Sequence, residues 1–308
     1  MTASISKPDR YVFHPYQPES IEALPNELLD VAHRFLPKGE QVLSIFVVPI
    51  NPYLSRKKKH SIAPTQALIF TSTGVLHIQA PAASENAQQP IFLRAKDLLY
   101  VHLSLILLYD RLEMVGQVNG RLEKIDVEYN AVGHLLLEPA LQQFLSKSWE
   151  NTDLLLTDPH TEEMAAQSLN GLPTKYRNGL KNFALQPKEN LLGVIFQPPI
   201  LEKLWMGFSR QIAPTTMLAL TDRQVINCCE TKTDERNSYG WVFTFLPIKT
   251  IDKIEVIPFG NHQLLTFHLA REGGQSQLDF QLTQSNVLDW QALWDRYRNT
   301  SPVKIVGQ

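Results

Sequence analysis

Five adjacent side chains, Arg56, Lys57, Lys58, Lys59 and His60, form the densest run of charge in the chain. Four of them carry full positive charge at neutral pH, and each such charge near an anionic surface contributes about 1 kcal/mol. The chemistry open to this run is electrostatic capture of a lipid headgroup or another polyanion; the plainer reading is a solvated loop. Nucleic acid is disfavoured. The formal net charge is −2, no aromatic side chains are interleaved with the cations, and the cluster is isolated. A second stretch is apolar instead: Leu201, Leu204, Trp205, Met206 and Phe208, with Glu202 and Lys203 as its charges. An apolar loop of this kind is poorly suited to water. It packs on the rest of the chain or on a second chain, forms a small core helix, or dips into a membrane.

Other reactive residue types are present without a pattern that gives them a task. His102, His134, His262 and His268 show no metal-ligand spacing and read as structural. Cys228 and Cys229 are the only cysteines; as strand neighbours they point to opposite faces. A bridge between them would be strained, so no disulfide framework is expected, and a reducing cytoplasm fits. Asp222-Arg223 reads as a hairpin turn with a local ion pair. No G-x-S-x-G, phosphate loop, paired catalytic carboxylates or Cys/His pairing occurs. The expectation is a non-catalytic protein without cofactor or metal.

The elements that place these residues come in two sets. Ile62-Ala63-Pro64-Thr65 returns as Ile212-Ala213-Pro214-Thr215, each followed by an apolar run. In the first set, Pro25 opens a helix with Leu28, Leu29, Val31, Ala32 and Phe35 on its apolar stripe. Strands follow at 41–48, 66–71, 74–79, 91–94, 98–105, 111–118 and 121–129, with Asn119-Gly120 as a strong hairpin turn. A closing helix carries Leu135, Leu136, Leu141, Phe144, Leu145 and Trp149, and Pro139 predicts a kink or a restart at Glu138. The second set begins with Leu172-Pro173 and Phe183, spaced like Leu24-Pro25 and Phe35. It ends in a helix with Val287, Trp290, Leu293, Trp294 and Tyr297 on one face. Trp290 and Trp294 read as core. Such a recurrence marks two copies of one folded unit. Between them Asp158-Pro159 opens a short helix.

Seven short strands closed by an amphipathic helix resemble the pleckstrin-homology superfold. The stretch from Leu218 to Ile226 and the run Tyr239-Gly240-Trp241 into Phe243, Phe245, Leu246, Pro247 and Ile248 are similar to bacterial PH-like domains. The resemblance covers roughly 40–149 and 189–298. It implies a mainly β fold with helices (α+β): two tandem PH-like β-barrel or sandwich domains, each closed by its C-terminal helix. The expected organisation is a flexible arm at 1–20, a first unit at 21–150, a helical insert at 151–171, a second unit at 172–300 and a tail at 301–308. Members of the superfold bind phospholipid headgroups or peptides, or assemble into oligomers. The resemblance therefore implies a protein partner or self-association, with peripheral attachment to anionic membrane through 56–60 as the alternative. No targeting segment or spanning helix is read from the sequence.

Overall fold

The computed structural model of the chain describes residues 14–50, 64–80, 89–149, 159–187, 189–203, 208–230, 240–271 and 274–300. The first half begins with helix α1 (Asn26–Phe35), whose buried Leu28 and Ala32 lie one turn apart. It covers one face of a four-stranded antiparallel sheet, β1 (Val42–Val48), β2 (Gln66–Thr71), β3 (Gly74–Gln79) and β4 (Ile91–Arg94), where Ile45, Val47, Ile69 and Leu76 meet it. Then come β5 (Leu98–Ile106), β6 (Tyr109–Val118), β7 (Arg121–Asn130) and helix α2 (His134–Ser148). The β6–β7 turn has positive φ at Asn119 (52°) and Gly120 (77°), which Asn-Gly supplies at low steric cost. Helix α2 runs through Pro139 without restarting.

After α3 (Pro159–Asn170), which lies against β8 (Leu191–Gln197), the second half repeats this order with two further described strands inserted. Helix α4 (Thr174–Gly179) continues into a π-helical turn, Leu180–Ala184. Beyond β8 come β9 (Ile200–Lys203), β10 (Ser209–Ala213), β11 (Thr216–Thr221), β12 (Gln224–Glu230) and β13 (Gly240–Pro247). Next are β14 (Ile251–Phe259), β15 (His262–Arg271), β16 (Gly274–Leu282) and α5 (Gln284–Thr300). The pairings recur residue for residue, including their irregularities. Val42 pairs with Thr71 and Ser44 with Phe70 across a bulge; Leu191 pairs with Thr221 and Gly193 with Leu220 across the same bulge. Leu98 pairs with Gly116 and Tyr100 with Val115, as Ile251 pairs with Leu269 and Lys253 with His268.

No sheet among the described residues closes on itself, so the expected barrel is not formed. The architecture is mainly β with helices, and its sheets are open. The largest has seven strands in the order β7-β6-β5-β13-β12-β11-β8 and so draws on both halves of the chain. The junction is the antiparallel pair β5–β13, with Val101 opposite Phe245 and Leu103 opposite Phe243. The His102 ring shares a hydrogen bond of 2.8 Å with the Thr244 hydroxyl across it. The largest core lies on one face of this sheet and mixes Leu103, Leu112 and Met114 with Met217, Phe243 and Phe245. The opposite face joins Leu99 and Val115 of the first half to Leu218, Leu220 and Trp290 of the second. Two apolar faces on one continuous sheet explain why β11 is buried at every position instead of at alternate ones.

Candidate functional site

The residues singled out from sequence are only partly visible. Arg56 to His60 lie outside the described residues, as do Leu204, Trp205 and Met206. Leu201 and Phe208 are described, and both remain exposed, at 56% and 68%. The stretch taken for one apolar loop instead begins within β9, and β10 follows directly after Phe208; the two pair as a two-stranded sheet with Leu201 opposite Gln211. Neither Leu201 nor Phe208 is packed into the core. Cys228 is buried and Cys229 half-buried, in line with strand alternation. Burial pushes both thiols up, Cys229 to about 11, which leaves them as unreactive thiols at neutral pH. The histidines are scattered: His134 lies 3.6 Å from Asp110, and His268 Nε2 donates to the Glu255 carboxylate at 3.0 Å. Among the described residues no three His, Cys, Asp or Glu side chains converge as a metal site would require.

The structure instead brings together residues that sequence reading had placed in the core. Trp290 is fully buried against Phe267, with ring centroids 5.8 Å apart. Trp294 is not: it is half-buried, stacked on Trp290 at 6.3 Å, and followed by Tyr297 at 5.4 Å. Spacings of four and three residues put the three rings on one helical face. Facing them, Ile254 and Val256 project from alternate positions of β14. Between β14 and α5 lies a cleft of about 570 Å3, within the range of ligand-binding pockets. Its rim is charged by Lys249, Asp252, Lys253, Asp295 and Arg298. Beside the cleft, Lys253 and His268 hold the exposed Glu255 carboxyl below its ordinary range. Strand β14 is an edge strand, paired with β15 on one side and with no described strand on the other. Its outer N–H and C=O groups are therefore available to an added strand.

The same place in the first half is filled. There β5 and α2 supply Leu103, Leu141 and Leu145, and the matching residues of β14 and α5 are Val256, Trp294 and Arg298. Phe243 and Phe245 from β13, with Phe183 from the π-helical turn, occupy the space between them. What remains is a void of about 10 Å3, too small for more than a single water. The signal for the cleft was present in sequence, since Trp290, Trp294 and Tyr297 share a face. Separating a buried ring from a cleft wall requires knowing that no described strand packs on the second half as β13 packs on the first.

The sequence matches no protein-family model and no curated protein. Among the described residues, no helix is long and apolar enough to cross a membrane.

Proposed function

We propose that this chain is a non-catalytic binding or scaffold protein whose second half docks an extended segment of a protein partner in the cleft between β14 and α5. It is built from two pleckstrin-homology-like units, 21–150 and 172–300, joined edge to edge with 151–171 between them. One observation carries the reading: a space of about 570 Å3 beside a strand edge with no described neighbour stands where the other half holds a strand with two phenylalanines. Main-chain pairing to β14 supplies affinity, and the aromatic cleft selects bulky side chains at alternate positions of the added strand. Phe243 and Phe245 show that spacing within the chain itself.

A synthetic peptide with the sequence of β13 (Gly240–Pro247), extended by lysines for solubility, tests this by titration calorimetry. Saturable micromolar binding is expected, and Trp294→Ala weakens it by about tenfold or more, as loss of a central ring does at interfaces. An absence of peptide binding overturns the cleft reading. The membrane alternative is supported instead if the protein pellets with phosphatidylserine vesicles and the joint change Lys57→Glu, Lys58→Glu, Lys59→Glu abolishes pelleting.

A further inference from the structure

We infer that the occupant of the cleft is a second copy of this chain, bound head to tail through its β4 edge, so that the joint made inside one molecule is repeated between molecules. This rests on the docking reading of the cleft and names its partner. The internal joint unites two unlike surfaces: β5 with α2 on one side, and β13 with α4 and its π-helical turn on the other. Each half of the chain owns one surface of each kind. Inside the molecule one of each is used. The remaining two, β14 with α5 and β4 with α1, are left at the two ends of the architecture, and each is an edge of its sheet among the described residues.

The free surfaces match in detail. Strand register sets the correspondences: Leu246 pairs with Val225 as Leu93 pairs with Val75, so Phe92 stands where Phe245 stands. Val101, which faces Phe245 in the internal joint, corresponds to Ile254. A docked β4 therefore sets Phe92 opposite Ile254 at the mouth of the cleft. Phe35 at the end of α1 is exposed at 44%, close to the 46% of Phe183, which lines the filled cleft. Two residues past the Phe245–Val101 pair the internal joint has Pro247 on β13 and Leu99, at the bulge of β5, both uncharged. Their counterparts at the free ends are Arg94 and Asp252, which are exposed and of opposite sign. Four residues of β4 are enough for these contacts and stop short of Pro258, which cannot donate to a ladder.

The free surfaces are also more polar than the internal ones. Leu99, Tyr100 and Val115 are replaced by Asp252, Lys253 and His268. The joint between molecules is accordingly weaker than the joint within one, reversible, and sensitive to salt. Because it unites unlike surfaces, it generates an open chain or a closed ring and not a two-fold dimer.

Sedimentation velocity of the full chain at increasing concentration, in low and in high salt, tests the inference. The expected result is a concentration-dependent species larger than a monomer in low salt that reverts to monomer in high salt. Arg94→Asp and Asp252→Arg each weaken association by about tenfold or more, and combining them restores it, as expected for opposite charges brought close at an interface. Circular dichroism melts matching wild type show that each variant is folded, since both positions are exposed. A monomer under all conditions, or a double variant that fails to restore association, overturns the inference. If the β13 peptide still binds in a Trp294-dependent manner, only the second copy is excluded as occupant. If the peptide also fails, the cleft reading falls with it.

Discussion

Glu40 and Glu189 occupy the same point in the two halves and do the same structural work. Glu40 accepts hydrogen bonds from the hydroxyls of Ser72 and Thr73 and from the Thr73 N–H, fixing the β2–β3 turn. Glu189 accepts from the Thr221 hydroxyl, the Gln224 side chain and the Gln186 N–H, fixing the β11–β12 turn. Their acidities move in opposite directions. At Glu40 burial raises the pKa, but the hydroxyl donors outweigh it and hold the carboxyl below its ordinary range. At Glu189 burial wins against three donors and pushes the pKa up to about 7. Between the ordinary 4.5 and about 7, folded Glu189 keeps a proton that the unfolded chain has released. Its contribution to stability is therefore full below 4.5 and falls as pH rises through 7. Glu189→Gln removes that titration while keeping an acceptor for Thr221. Its stability relative to wild type is expected to improve by about 2–3 kcal/mol from pH about 5 to about 8. Asp110, raised by burial to about 7, titrates in both proteins and cancels from the difference. Parallel denaturation curves at all pH values would contradict this. The two glutamates could be matched from sequence, but their opposite acidities could not. Whether a carboxyl is open or enclosed depends on packing from elements far away in the chain.

At the scale of elements, local signals carried well. The limits of β2 and β3 follow from their apolar runs and the turn between them, and the Asn119-Gly120 turn has the positive φ values its residues favour. The pairing of β9 with β10 was not legible, because the segment offers no alternation and its apolar residues cluster between the two strands in sequence. The pairing of β5 with β13 was illegible for a different reason. Sheet neighbours separated by about 140 residues, as His102 and Thr244 are, leave no periodic trace in either strand. Glycine requirements set by such distant contacts are hidden in the same way. A Cβ on Gly116 in β6 would stand 2.6 Å from the Asp97 carbonyl oxygen, closer than side chains tolerate. Gly116→Ala is expected to cost about 2–3 kcal/mol, since backbone must move to admit the methyl group. Gly171→Ala, with its nearest neighbour at 3.6 Å, is the matched control and should unfold in urea close to wild type. Equal midpoints for the two variants would show that the turn after β4 yields easily.

The whole molecule is held by its shared sheet. Phe243 and Phe245 belong to the second half by sequence, yet they pack among Leu103, Leu141 and Leu145 of the first. Leu99 and Val115 of the first half likewise complete the core of the second. Separating the halves would expose these four side chains together with two unpaired strand edges, a loss that neither half can offset alone. Unfolding should therefore be a single cooperative event despite the repeated order of elements. Calorimetry is expected to give one transition whose calorimetric and van't Hoff enthalpies agree. The variant Phe243→Ala sharpens the test, because the ring is buried at the joint, at 2% exposure, instead of in the middle of either half. Removing it costs about 3–5 kcal/mol, as for other large core side chains. If the joint couples the halves, this lowers the single transition as a whole and leaves its shape unchanged. Two transitions, of which only the second half's moves, would mean that the β5–β13 pair is a contact between independent units. The head-to-tail contact inferred at the free edges would then lose its internal precedent as a stabilising joint.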